Sequence, residues 1–174
     1  MASDAITRDV IIADNDYIIR SILRTVLEVQ KFNVLQAIDG IEAVDYATRT
    51  TARLVILDYK MPRLDGFATC AEIRCLPAYR DVPIIILTGF NDDDTRAAAQ
   101  RAGATMFLTK PFKPVDLLHA IATVLGLPQA EHGAATAASE RAAFVWKRRQ
   151  EPTPVYGEQP ELSEGRRILN ICRR

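Results

Sequence analysis

The chain is poor in side chains that hold soft metals or attack as thiolates. Its 174 residues include two histidines, His119 and His132, and three cysteines, Cys70, Cys75 and Cys172. Cys70 and Cys75 are five apart, which suits neither a zinc pair nor one helix face. An odd cysteine count without ligand spacing reads as reduced thiols in a cytoplasmic protein. Glycine is sparse at eight residues, and neither a GxGxxG nor a Walker spacing occurs, so a glycine-rich nucleotide cradle is not expected. Net charge is zero, with 22 Lys+Arg against 22 Asp+Glu, which removes the whole-chain electrostatic signature of nucleic-acid binding. No apolar run approaches about 18 residues and no charged-then-apolar leader opens the sequence, which predicts a cytoplasmic chain without a membrane span.

What the chain has is alternation. The stretch Leu54-Val55-Ile56-Leu57 is a short, wholly apolar run that suits a strand buried on both faces, and it stops at a carboxylate, Asp58. Pro62 and Asp65-Gly66 then punctuate a loop. Similar apolar runs occur at Val10–Ala13, Phe32–Ala37, Pro83–Leu87 and Thr105–Leu108. Between them lie segments of helical spacing. Ile18, Ile19, Ile22, Leu23, Val26 and Leu27 form the first, and Ile41 to Ala47 the second. Phe67–Leu76 is the third, stopped by Pro77. Thr95–Ala102 is the fourth, opened by Asp92-Asp93-Asp94, and a fifth runs from Pro114 to Leu125. Five strands alternating with five helices predict a doubly wound α/β domain with a parallel sheet, whose site lies outside the C-terminal strand ends.

Those strand ends carry the chemistry. Asp14, Asn15 and Asp16 follow the first strand, Asp58 ends the third, Thr88 the fourth and Lys110 the fifth. Clustered carboxyl and amide oxygens can hold a hard cation such as Mg²⁺. A lysine and a hydroxyl beside a carboxylate can neutralise and hydrogen-bond a phosphoryl group. Together they predict phosphoryl transfer onto an aspartate.

The run Asp14-Asn15-Asp16, the stretch Asp58-x-x-Met61-Pro62-x-x-Asp65-Gly66, Thr88-Gly89 and Lys110-Pro111-Phe112 resemble the receiver domain of two-component response regulators (the CheY-like family). The resemblance covers residues 8 to about 127. It implies a flavodoxin-like fold with strand order 2-1-3-4-5, and a phosphoryl group accepted by Asp58 from a sensor histidine kinase or phosphotransfer protein. It implies Mg²⁺ held by Asp14, Asn15, Asp58 and the backbone carbonyl of Lys60. Thr88 and Lys110 would contact the phosphoryl group, and Phe107 would be the aromatic switch. Output would pass to a protein partner or a second copy through the fourth helix, fifth strand and fifth helix. Such a chain is not an enzyme beyond its own phosphoryl transfer and dephosphorylation. Side chains two residues after the phosphoacceptor and two after the threonine, here Lys60 and Phe90, influence the hydrolytic water in that family.

The family usually has two acids where this chain has Asp14-Asn15. Asn15 keeps a carbonyl oxygen but loses a charge, which predicts weaker Mg²⁺ binding. Asn15 also suits a helix cap, and Asp16 is a third acid nearby. A degenerate receiver that acts as an unphosphorylated adaptor is the alternative.

Residues 128–174 form a linker and C-terminal extension. The segment carries 8 basic and 6 acidic residues, Trp146, and the run Lys147-Arg148-Arg149, and is broken by Pro152, Pro154 and Pro160. It is too short for a helix-turn-helix domain with its own core. It reads as a disordered or partly helical basic tail, as a partner-binding segment anchored by Trp146, or as a minimal DNA-binding arm, with nucleic acid the least supported partner.

Overall fold

The computed structural model describes residues 8–90 and 92–127. The expectations about the 128–174 extension lie outside them. The chain order is β1 (Asp9–Ala13), α1 (Tyr17–Val29), β2 (Asn33–Ala37), α2 (Gly40–Arg49), β3 (Leu54–Asp58), α3 (Gly66–Arg74), β4 (Ile84–Thr88), α4 (Asp93–Arg101), β5 (Met106–Thr109) and α5 (Pro114–Leu125). All neighbouring strands pair in parallel, in the order β2-β1-β3-β4-β5. The alternation predicts a doubly wound parallel sheet, and this flavodoxin-like strand order is the one the family resemblance implies.

Each central strand buries both faces. Val10 and Ile12, Leu54 and Ile56, and Ile85 and Leu87 pack with Ile19, Leu23 and Leu27 of α1 and Leu117 and Ile121 of α5. The intervening Ile11, Val55, Leu57, Ile84 and Ile86 pack with α2, α3 and Ala99 of α4. Period-two alternation therefore sends successive side chains into two separate apolar layers. The topology reverses between β1 and β3, since the chain first builds outward to β2 and then crosses back. The crevice at that reversal is where the site lies.

Four helices open on an aspartate cap. The carboxylates of Asp16, Asp39, Asp65 and Asp92 accept backbone N–H groups in the first turns of α1 to α4, satisfying donors that a helix start leaves open. The cap of α1 is thus Asp16 and not Asn15. Several boundaries differ from the sequence reading by one or two residues. Helix α3 ends at Arg74, two residues before Leu76, and Pro77 opens a short 3₁₀ turn, Pro77–Tyr79. That turn buries Tyr79 completely, and its hydroxyl accepts from Ala52 N at 3.0 Å and donates to Thr50 O at 2.9 Å. Cys70 is a buried free thiol, pushed by burial up to about 11. Cys75 is disulfide-bonded, so among the described residues the reduced state expected for the cysteines holds for Cys70 alone.

Candidate active site

Hydrogen bonds running one residue past the strands set the site. Tyr59 N donates to Leu87 O at 2.7 Å, and Lys110 N donates to Thr88 O at 2.6 Å. These bonds carry the β3–β4 and β4–β5 pairing beyond the ladder and bring the ends of β3, β4 and β5 side by side. The loop after Asp58 turns back at Gly66, whose N–H donates to Tyr59 O at 3.0 Å. A Cβ on Gly66 would lie 2.3 Å from Asp58 O, so only glycine permits this close approach.

Three of the predicted residues meet directly. Lys110 Nζ lies 2.6 Å from Asp58 Oδ1 and 2.8 Å from Asp14 Oδ2. Asp14 and Asp58 are 1% and 6% exposed, so one ammonium bridges two buried carboxylates. Burial raises the Asp58 carboxyl above its ordinary range. The Lys110 hydrogen bond pulls it back, and the charge of Asp14 raises it again.

A cleft of about 570 Å³ opens onto this cluster. Asn15, Asp16, Lys60 and Phe90 line it with Asp14, Asp58 and Lys110. Lys60 Nζ sits 4.7 Å from the Phe90 ring centroid, and the Tyr59 ring meets Phe90 edge-on at 6.1 Å. Lys60 and Phe90, picked out in sequence as the neighbours of the hydrolytic water, thus cover each other at the cleft wall.

Thr88 is buried at the end of β4, where its hydroxyl accepts from Phe90 N at 3.1 Å. It adjoins the cleft without lining it. Phe107 lies apart, half-buried on β5 in the layer of α2 to α4, with the Arg96 guanidinium 5.3 Å from its ring centroid. The role of Asp16 shifts: its Oδ1 accepts from Ile18 N and Ile19 N, so one oxygen is spent on the helix. Arg20 was not legible as a site residue. It reads as one polar position of an amphipathic helix, yet its Nη1 donates to Asp14 O at 2.6 Å.

The donor set fits a hard divalent cation. Two carboxylates already converge on one positive centre, and Asn15 and Lys60 line the same cleft. Among the described residues no group of three or more His, Cys, Asp or Glu forms a metal cluster.

A sequence model described as the response regulator receiver domain matches residues 10–122. The chain belongs to the response regulator receiver family. The receiver is 40% identical over 121 residues to the transcriptional regulatory protein PdtaR of Mycobacterium tuberculosis, covering 69% of this chain and 58% of that protein. Across curated relatives the aligned part spans between 32% and 83% of their length, and less than two thirds of most of them. The chemotaxis protein CheY4 of Vibrio cholerae superposes with a TM-score of 0.66 at 30% identity, over 68% of this chain and 99% of CheY4. The receiver domain of sensor histidine kinase PA1611 from Pseudomonas aeruginosa has a TM-score of 0.64 at 28% identity, over 69% and 98% of the two chains. It is described with a magnesium ion coordinated in its active-site cleft. The family binds Mg²⁺ in that cleft and works with histidine kinases or phosphotransfer proteins as a signalling domain.

Proposed function

We propose that this receiver, residues 8–127, takes a phosphoryl group on Asp58 from a histidine kinase or phosphotransfer protein and signals by protein–protein contact. Residues 128–174 would form a separate extension. The observation that carries the reading is the Lys110 bridge between Asp58 and Asp14. It gathers a nucleophile, its charge partner and a second acid at the switch in strand order, in one accessible cleft.

In the transfer, an Asp58 carboxylate oxygen attacks phosphorus. The P–O bond forms as the P–N bond of the donor's phosphohistidine breaks, and the ring nitrogen keeps the bonding pair. Burial favours the step, because a desolvated carboxylate with a raised pKa is the stronger nucleophile once ionised. Lys110 can neutralise charge on the phosphoryl oxygens, and the Thr88 hydroxyl, at the end of the neighbouring strand, would donate a hydrogen bond to them. Mg²⁺, when bound by Asp14, Asn15, Asp58 and the Lys60 carbonyl, would supply further charge neutralisation.

Thr88 moving toward the phosphoryl group would release Phe90 N and open space for Phe107. That would reshape the face of α4, β5 and α5 for a protein partner or a second copy. The proposed site of action is the cytoplasm; among the described residues no helix is long and apolar enough to cross a membrane. The occupied positions Asp58, Thr88 and Lys110 favour a working receiver over a degenerate one. The test is intact mass after incubation with acetyl phosphate and Mg²⁺. The parent should gain one phosphoryl group and Asp58→Asn none; equal labelling of the two would overturn the assignment.

A further inference from the structure

The backbone carbonyl of Asp14 is held by a side chain reaching back from α1. Arg20 Nη1 donates to it at 2.6 Å. Asp14 is buried, and it follows the last residue of β1, past the β1–β3 register that ends at Ala13 and Leu57. The rest of the residue is engaged as well. Its N–H donates to Ala37 O at 3.3 Å, Oδ1 accepts from Asp16 N at 2.8 Å, and Oδ2 accepts from Lys110. Arg20 is itself oriented: it is half-buried, and its guanidinium lies 5.9 Å from the Tyr17 ring centroid.

We propose that Arg20 is a positioning residue of the cation pocket. By holding the Asp14 carbonyl it fixes the turn of residues 14–16, so that the Asp14 carboxylate stays aimed at the point where Asp58 and Lys110 meet. The carbonyl and the carboxylate belong to one residue. A turn that rotates to hydrate an abandoned carbonyl therefore carries the carboxylate with it. Groups one step removed from a metal ligand act this way, by fixing the ligand's direction. The guanidinium charge acts in the opposite sense, since a positive group near a cation site weakens binding. The sign of the effect therefore separates positioning from charge.

The inference rests on the receiver site proposed above, so the test includes a variant for each. Mg²⁺ is titrated into the full chain by NMR, following the backbone amides of residues 14–16 and 59–60, for the parent, Arg20→Met, Arg20→Lys and Asp14→Asn. Arg20→Met is expected to raise the Mg²⁺ dissociation constant about tenfold. Arg20→Lys, which keeps the charge but not the forked donor, should weaken binding too. Unchanged or tighter binding in Arg20→Met overturns the inference. If that variant does not fold, Arg20→Lys decides by the same criterion. In the parent, the Arg20 side-chain N–H resonances should shift with the Mg²⁺ midpoint, and a resonance that stays still overturns the inference. If Asp14→Asn binds Mg²⁺ as the parent does, the reading of the site fails; if Asp14→Asn loses binding while Arg20→Met keeps it, only the role of Arg20 fails.

Discussion

Lys110 Nζ lies 2.6 Å from Asp58 Oδ1 across 52 residues of sequence. Lysine and aspartate arrive from different strands, and the sheet register brings them together. A second carboxylate, Asp14, shares the same ammonium, so the cluster carries one negative charge in excess within a largely buried crevice. Burying charge is unfavourable unless it is compensated. The cluster is therefore poised to gain stability from any added cation and to respond when the charge on Asp58 changes.

The first prediction follows from the raised Asp58 carboxyl. An acid with a raised folded pKa is still protonated in the fold when it has ionised in the unfolded chain. The stability it contributes is complete below the unfolded carboxylate range, near about pH 4, and is lost as pH rises through the folded value. Asp58→Asn cannot ionise. In the absence of Mg²⁺ it should melt above the parent at pH 7, and the two curves should converge as the pH falls toward that range. Added Mg²⁺ should raise the melting temperature of the parent more than that of the variant. A parent that is the more stable at pH 7, with a gap widening upward, would mean that Lys110 outweighs burial.

Asn15 sits exposed on the cleft rim, and that sets the second prediction. Asn15→Asp adds a charge beside Asp14 and Asp16. Near a protein surface a unit charge at 4 Å interacts by up to about 4 kcal/mol before screening, so a screened fraction still gives roughly tenfold in Mg²⁺ affinity. The variant should also melt lower without Mg²⁺, from like-charge repulsion. An identical Mg²⁺ titration would place Asn15 outside the coordination sphere.

The sheet was legible because the strand cores are short apolar runs and their ends carry the polar groups. Asp14, Asp58 and Lys110 could be placed together because a parallel sheet puts all strand C-termini on one edge. Local choices were harder. Asn15 and Asp16 are both good caps, and only the true start of α1 decides between them. Tyr79 lies just beyond a proline that reads as a stop, so its buried role leaves no periodic signal. Arg20 alternates with apolar residues like any solvent-facing position, and its reach back to Asp14 depends on the fold.

Tyr79 supplies the third prediction. Tyr79→Phe removes the hydroxyl that joins Ala52 N to Thr50 O in the core. The orphaned buried groups should cost about 1–3 kcal/mol, read as a shift of the urea midpoint with unchanged slope. Phosphoryl uptake should stay at the parental rate, because the residue lies outside the cleft. A variant of parental stability would mean that water replaces the hydroxyl.

The fourth concerns output. Arg96 of α4 lies over Phe107 of β5 and fixes its ring against that helix. Such a contact is worth roughly 0.5–1 kcal/mol at an exposed site. If phosphorylation turns Phe107 inward, Arg96→Ala should shift the unphosphorylated chain a few-fold toward the phosphorylated state. Chemical shifts of residues 93–119 should then lie between the two end states of the parent. Shifts that match the unphosphorylated parent throughout would separate Arg96 from the switch.

The last prediction is the lifetime of the phosphorylated state. Hydrolysis needs a water in line with the phosphorus, held by a group that can orient it or accept its proton. The side chains at the relevant positions are Lys60 and Phe90, and both line the cleft. Phenylalanine has no polar atom, and a protonated lysine has no lone pair to accept a proton. The Lys60 ammonium is drawn over the Phe90 ring at 4.7 Å, with Tyr59 edge-on behind it, so an aromatic wall covered by an ammonium stands in the cleft that holds Asp58. A long-lived phosphoryl group is expected, persisting until a partner or a phosphatase removes it. Replacing Lys60 with Asn and Phe90 with Glu together removes the wall and offers two groups that hydrogen-bond water. General base assistance contributes at most about 10²–10⁴-fold, and an unoptimised carboxylate should give the lower part of that range. The measurement is the decay of intact phosphorylated mass after the donor is removed, in constant Mg²⁺. Single variants divide the effect: Phe90→Glu should account for most of it, since it alone adds a base, while Lys60→Asn should act mainly by freeing the ring. A double variant that decays no faster than the parent would mean that the water is governed by backbone groups, and that the aromatic wall serves only to pack the cleft.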